Sequence, residues 1–237
     1  MKKTGIVWMV MGLVGMSQAS VIYSNNFSGT EFAAAGIPVG VYNLAQNSSS
    51  GVLEATTTHN QAGFRVDLTS LNLSTLTAIK VSADIKIPSN VGTIFLGFGN
   101  ESNDWNMNAA GDGMMSFPAV NRKISVSGGV GSANNQAFQS ASNVYPTNST
   151  FKAEFTYYTN NTVDVVVNGI NLYTGPVTSS VGNNLDYVYL NLYSQNTEAA
   201  GGATFDNLVI ESIPEPTTLG LFMISGVSVL ALRRMTR

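Results

Sequence analysis

The 237-residue chain has no cysteine, a single histidine and two tryptophans, and only 11% of its residues are charged. Without cysteine there can be no disulfide, thiolate metal site, cysteine nucleophile or lipid-modified amino-terminal cysteine. With His59 the sole histidine, a two-histidine metal site is impossible, and a Ser-His-Asp triad would have to use that residue. His59 sits in the polar turn Thr56-Thr57-Thr58-His59-Asn60-Gln61 and reads as a solvated loop histidine. No Gly-x-Ser-x-Gly elbow occurs, and Ser127-Gly128-Gly129-Val130-Gly131 lacks the lysine and following helix that a phosphate cradle needs.

The charged share is roughly half the usual ~25% of a globular protein. Asn, Ser, Thr and Gly fill the deficit, as expected of a β protein with hydroxyl- and amide-rich outer faces. Lys2, Lys3, Arg233, Arg234 and Arg237 lie at the two ends. Between Ser20 and Ile213 six basic residues stand against thirteen acidic ones, a balance of −7. Nucleic acid is therefore excluded as a partner, because gripping phosphates requires clustered Lys and Arg.

What the chain does have is a distinctive pair of ends. Residues 1–19 place Lys2 and Lys3 before an apolar stretch from Ile6 to Met16, then end in Ser17-Gln18-Ala19. This is the order of a secretory signal peptide, cut by signal peptidase after Ala19. At the other end Pro214-Glu215-Pro216 precedes Thr217 and Thr218, an uncharged run to Leu232, and the cluster Arg233, Arg234 and Arg237. Proline supplies no ladder donor and restricts its predecessor, so Pro214 and Pro216 mark a boundary. A helix over about 217–232 would be about 24 Å long at ~1.5 Å per residue, against ~30 Å of hydrocarbon. Snorkelling arginines and local thinning would let it span, with the carboxy terminus cytoplasmic and the preceding domain outside.

The order Pro214-Glu215-Pro216, short apolar helix and Arg233, Arg234 and Arg237 resembles the PEP-CTERM sorting tail of exported proteins from Gram-negative bacteria that make extracellular polysaccharide. The resemblance covers residues 214–237 and implies an exosortase-type transpeptidase as processing partner, with Pro214, Glu215 and Pro216 as recognition motif and the arginines as stop-transfer cluster. An ordinary single-pass anchor is the alternative. The expected organisation is thus a signal peptide at 1–19, one domain at 20–213 and a sorting or anchor segment at 214–237.

Within the domain the apolar pattern has period two, without a long stretch of period 3.6. In Ile79-Lys80-Val81-Ser82-Ala83-Asp84-Ile85-Lys86-Ile87 every odd position is apolar and every even one polar, a strand with one face in the core and one in water. Similar runs occur at 21–27, 51–54, 64–68, 93–99, 114–117, 123–126, 151–158, 163–167, 186–193 and 204–210. Asn168-Gly169, between 163–167 and 170–173, predicts a type I′ hairpin. Residues 134–148, rich in Ser, Asn and Gln, read as one long surface loop.

Short antiparallel strands with one apolar face must cover that face with a second layer, which predicts an all-β, two-sheet antiparallel jelly-roll sandwich. The order of Tyr23-Ser24-Asn25-Asn26-Phe27, the strands at 79–87, 93–99 and 151–158, and Phe205-Asp206-Asn207-Leu208-Val209-Ile210 resembles the concanavalin A and laminin G type of sandwich.

Two constellations could carry binding. Asn100-Glu101-Ser102-Asn103-Asp104-Trp105-Asn106, with Asp112 downstream, gathers side-chain oxygens; calcium, which takes about 6–8 oxygen ligands, is a candidate at Asn100, Glu101, Asp104 and Asp112. Trp105 could stack on a sugar ring while Asn103 and Asp104 bind hydroxyls. Alternatively the segment simply forms a turn and Trp105 caps the core. The second constellation is the stripe of Tyr187, Tyr189 and Tyr193, opposite Val188, Leu190 and Leu192. It forms either an aromatic platform for carbohydrate or protein, or packing beneath a loop or neighbouring strand.

Retaining glycosidases on such sandwiches need two carboxylates about 5 Å apart. No Glu-x-Asp or Glu-x-x-x-Glu pair occurs on any predicted strand, and Asp84 and Glu154 read as outward charges. The expectation is an exported, non-enzymatic cell-surface or matrix protein whose sandwich binds glycan, with the cell's own exopolysaccharide a candidate ligand. A structural or adhesive protein-binding module and a polysaccharide hydrolase remain the alternatives.

Overall fold

The computed structural model describes residues 19–28, 37–47, 50–55, 61–71, 76–89, 92–99, 113–119, 121–128, 136–177, 186–193 and 202–214. Residues 1–18 of the predicted signal peptide and the segment after Pro214 lie outside them, as do His59, the stretch 100–112 and its calcium candidates. No helix occurs among the described residues.

In chain order the strands are β1 (Ser20–Asn25), β2 (Val39–Tyr42), β3 (Leu44–Asn47), β4 (Val52–Ala55), β5 (Gln61–Asp67), β6 (Leu76–Lys86), β7 (Thr93–Gly99) and β8 (Gly113–Pro118). They continue as β9 (Ser125–Gly128), β10 (Gln136–Gln139), β11 (Thr150–Tyr158), β12 (Thr162–Val167), β13 (Ile170–Pro176), β14 (Tyr187–Tyr193) and β15 (Thr204–Pro214). They form two antiparallel sheets. One runs β13-β12-β11-β6-β15-β4-β3, with β1 also paired to β15; the other runs β10-β9-β8-β7-β14-β5-β2. The expected two-sheet sandwich is thus the fold.

The period-two pattern of β6 does what its sequence implies. Ile79, Val81, Ala83 and Ile85 face the core with at most 1% exposure, while Lys80, Asp84 and Lys86 stay partly in water. Across the interior they meet Ile94, Leu96 and Phe98 of β7 and Val188, Leu190 and Leu192 of β14, all within one buried cluster. Each such side chain contributes about 1.5–3 kcal/mol when fully removed from water. Among its aromatic members, Phe98 and Phe155 approach from opposite sheets with ring centroids 5.9 Å apart.

β15 breaks the simple alternation in a useful way. Its register against β6 shifts between Asp206 and Val209, and Asn207 sits there at φ 48°. The bulge lets Phe205 on one side and Leu208 and Ile210 on the other all reach the core. Asparagine repeats this service elsewhere: of eight non-glycine residues at positive φ among the described residues, six are Asn (Asn43, Asn143, Asn148, Asn161, Asn168 and Asn207). Its short amide side chain tolerates the left-handed region better than most residues, so part of the chain's Asn richness is turn chemistry.

The Asn168-Gly169 hairpin forms as predicted, with φ 50° and 78° at its two central residues and Val167 paired with Ile170. The structure corrects the predicted loop at 134–148, because Gln136–Gln139 forms β10 on the edge of the seven-stranded sheet. The rest of that segment is pinned rather than loose: Tyr145 is 2% exposed, and its hydroxyl donates to the Pro118 carbonyl at 2.6 Å. β2 and β3 were also not anticipated. The chain leaves one sheet for the other through Asn43 at φ 51°, and two four-residue strands carry too little periodicity to stand out.

Candidate functional site

The outer faces of the two sheets differ. On the eight-stranded sheet the polar side chains satisfy one another. Lys80 Nζ lies 3.1 Å from Glu154 Oε2 on β11 and 3.1 Å from Glu211 Oε2 on β15, and Lys152 reaches Glu154 Oε1 at 3.1 Å. Tyr158 donates to Asp164 at 2.5 Å, Thr174 donates to the other oxygen of Asp164 at 2.6 Å, and Asn207 Nδ2 donates to Asp84 at 2.8 Å. Asp84 and Glu154 are outward charges, as their sequence context implies. This face is a solvated, internally paired surface.

The seven-stranded sheet is different at its centre. Because Val188, Leu190 and Leu192 point inward, Tyr187, Tyr189 and Asn191 of β14 point away from the core. By the same alternation Gly63, Arg65 and Asp67 of β5 and Phe95, Gly97 and Gly99 of β7 lie on that outer face. Register places Arg65, Tyr189 and Gly97 in one row, Gly63, Asn191 and Phe95 in the next, and Asp67, Tyr187 and Gly99 in a third. Glycine stands beside each of the three β14 side chains.

Tyr189 is 1% exposed and Asn191 0%, although neither belongs to the hydrophobic core cluster. The tyrosine stripe is therefore not an open three-ring plate. Tyr187 is half-buried, with its ring centroid 6.0 Å from that of Tyr189 at 45°, and Tyr193 occupies the expected strand position. The ring of Tyr187 carries the guanidinium of Arg65, whose Cζ lies 5.0 Å from the centroid. A cation over an aromatic face contributes about 0.5–1 kcal/mol when exposed and more when desolvated.

On the far side of Arg65, β2 runs in register, with Gly40 opposite Arg65. A Cβ on Gly40 would stand 3.2 Å from Nη2 and 3.3 Å from Cζ and Nε of Arg65, so the guanidinium lies against the glycine backbone. Arg65 is thus held between Gly40 on one neighbouring strand and Tyr187 on the other. The nearest carboxylate on its own strand, Asp67, turns to the following residues: its Oδ1 accepts the Thr69 N–H at 2.9 Å and the Thr69 hydroxyl at 2.6 Å.

Sequence reasoning singled out Tyr187 and Tyr189 but not Arg65, Gly40 and Asn191, which the sheet places beside them. The residues Gly63, Arg65 and Asp67 alternate with Ala62, Phe64 and Val66, a signal that they share a face. Nothing in the sequence shows that β5 lies beside β14. Trp105, Asn103 and Asp104 lie outside the described residues. Among the described residues no group of three or more His, Cys, Asp or Glu side chains could hold a metal ion.

No family model matches the chain, and no curated protein is similar to it in sequence. Solved structures do share its fold. The carbohydrate recognition domain of Emp47p superposes with a TM-score of 0.55 at 12% identity, over 84% of this chain and 97% of that one. The endo-β-1,3-glucanase from Pyrococcus furiosus gives 0.59 at 14% identity, over 83% and 95%. Botulinum neurotoxin type C, which interacts with two ganglioside molecules, gives 0.55 at 11% identity, over 87% of this chain and 51% of the other. At these identities the likeness shows the fold alone: the chain is a two-sheet antiparallel jelly-roll sandwich.

Proposed function

We propose that the sandwich is a non-catalytic glycan-binding module of an exported, surface-associated protein. The observation that carries this reading is the outer face of the seven-stranded sheet, where half-buried Tyr187, its ring against the half-buried Arg65 guanidinium, borders the covered Tyr189 and Asn191. Aromatic faces suit the apolar side of a sugar ring, and amide and guanidinium groups suit its hydroxyls. The carbohydrate recognition, ganglioside and glucanase proteins with the same fold support the choice of ligand class.

A binding role is favoured over hydrolysis because Asp67 is the only carboxylate that the described strands bring to this face, and a glycosidase needs two. Export and anchoring rest on the two ends of the sequence: signal peptidase acts after Ala19, and an exosortase-type transpeptidase acts on the tail beginning Pro214-Glu215-Pro216. The cell's exopolysaccharide is then the nearest available ligand, and calcium at Asn100, Glu101, Asp104 and Asp112 is part of the same proposal.

A glycan array probed with the full-length protein, with and without EDTA, tests the reading. Binding to a defined set of oligosaccharides is expected, and loss with EDTA would assign a role to calcium. Silence across the array overturns the glycan reading in favour of a protein-binding module, while release of reducing sugar overturns the non-catalytic one. Deleting residues 214–237 should release the protein or misdirect it; unchanged processing and location would refute the sorting proposal.

A further inference from the structure

Arg122, at φ 51°, stands where the chain elsewhere places asparagine, and its surroundings show how that backbone is held. The Arg122 N–H donates to the Pro118 carbonyl at 3.2 Å, the Arg122 carbonyl accepts the Val144 N–H at 3.1 Å, and the Asn143 N–H donates to the Asn121 carbonyl at 3.2 Å. The guanidinium of Arg122 donates to Asn143 Oδ1, and the N–H of the next residue, Lys123, donates to Asn121 Oδ1 at 3.1 Å. Tyr145, buried, ties the second segment to Pro118 from within. The turn between β8 and β9 and the segment after β10 are therefore braced against each other, and they carry Arg122 and Lys123 together with the exposed Asn121, Ser142 and Asn143.

Charge is segregated in this part of the chain. No Asp or Glu occurs between Asp112 and Glu154, whereas Arg122, Lys123 and Lys152 do, in a domain whose balance is −7. Lys152 is taken up by Glu154 on the eight-stranded sheet, as Lys80 is by Glu154 and Glu211. Neither Arg122 nor Lys123 has an ion-pair partner among the described residues. Strand direction fixes where they stand. Ser20 pairs with Ser212 and Pro214 with Leu76 at one pole of the sandwich. β6 runs from Leu76 to the other pole, where the Asn148 N–H meets the Ile87 carbonyl at 2.9 Å and the Ala119 N–H meets the Gly92 carbonyl at 3.0 Å. The cationic turn is at this second pole, away from the anchor proposed after Pro214, so its charge faces the surroundings rather than the anchoring bilayer.

We infer that the β8–β9 turn is a contact site for an acidic polysaccharide, with Arg122 and Lys123 holding its carboxylate or sulfate groups. A guanidinium fork beside an ammonium group suits these anions through charge-assisted hydrogen bonds, and the amides of Asn121 and Asn143 suit the neighbouring hydroxyls. The inference rests on the glycan-binding reading above and narrows it to a ligand class, at a place separate from the outer face of the seven-stranded sheet. The acidic domain opposes a polyanion at long range, so the contact is local and salt-sensitive.

The test uses matched probes that differ in charge: oligogalacturonate against its methyl ester, and dextran sulfate against dextran, with the full-length protein at low and high salt. At low salt at least one acidic probe should bind about tenfold or more tightly than its neutral partner, the first pair reporting carboxylate and the second sulfate. Arg122→Asn removes the charge but suits positive φ, so it should lower that preference by about threefold or more without lowering the melting temperature. Combined with Lys123→Gln it should bring the preference to within about twofold. Lys80→Gln, the same charge change on the opposite sheet, should leave the preference in place. Equal binding of charged and neutral partners overturns the inference and leaves the glycan reading intact. A preference that survives the double variant, or falls equally with Lys80→Gln, overturns the assignment to this turn, and absence of binding to all four probes and to the wider array removes both readings.

Discussion

Phe138 and Tyr173 stack with ring centroids 4.6 Å apart at 15°, although one lies on β10 at the edge of the seven-stranded sheet and the other on β13 at the edge of the eight-stranded sheet. The pair closes the sandwich along its open side. Truncating either ring to alanine should cost about 2 kcal/mol, less than the roughly 3–5 kcal/mol of a fully buried Phe, since both are only partly covered. A double-mutant cycle by urea unfolding should give a coupling of about 0.5–1.5 kcal/mol. Gly175→Ala offers an independent check, because its Cβ would meet the Tyr173 hydroxyl at 2.5 Å and push the ring aside.

The Lys80 ion-pair network should be worth little, and its pH dependence should be readable. Burial alone would raise the Glu154 carboxyl, but hydrogen bonds from Lys152 and Lys80 outweigh it and hold the group below its usual 4.5. Its contribution is complete above that unfolded value and disappears as pH falls through the lower folded one. Glu154→Gln should therefore flatten the acid limb of the stability curve below pH 4.5. Lys80→Met should cost about 1 kcal/mol or less at neutral pH, shrinking further in molar salt.

Tyr23 contributes to the alkaline limit, as do the hydroxyls of Tyr145, Tyr157 and Tyr158, which burial also raises. Tyr23 is 1% exposed, and burial pushes its hydroxyl from 10.0 up to about 12, against a smaller opposing effect of the Asn25 side chain. The folded state keeps a proton that the unfolded chain loses, so the contribution of this group is complete below pH 10.0 and is lost as pH rises through about 12. Denaturant titrations across that window should show a shallower decline for Tyr23→Phe than for the parent. An identical slope would mean that Tyr23 ionises normally.

The Asn168-Gly169 turn can be tested residue by residue. Asn168 Oδ1 also accepts the Lys152 N–H at 3.0 Å, tying the turn to β11. Asn168→Ala should cost about 1–2 kcal/mol through positive φ and the lost bond, and Asn168→Gly less, because glycine restores the backbone freedom but not the acceptor. Gly169→Ala should be unfavourable although its Cβ meets nothing within 4 Å, since φ 78° itself is the obstacle.

Much of this architecture was legible as pattern. The alternation in 79–87 named the core face of β6, and Asn168-Gly169 named a hairpin. β10 was hidden because Gln136–Gln139 lies in a Ser- and Asn-rich stretch and is held at a sheet edge by pairing to β9 rather than by its own periodicity. The outward side of Tyr187 and Tyr189 was legible from the alternation of β14, yet whether they lay open or covered was not written in that strand itself. Tyr189 is covered and Tyr187 carries Arg65.

Taken alone, the sequence determined the β class, the inward and outward side of most strands and the absence of cysteine chemistry, because these depend on each residue and its near neighbours along the chain. Only the tertiary structure decided that β5, β14 and β2 lie side by side and so bring Gly40, Arg65 and Tyr187 together. Hydrogen-bonded ladders join strands distant in sequence, and a period of two records which side of a strand a residue occupies without recording which strand stands next to it.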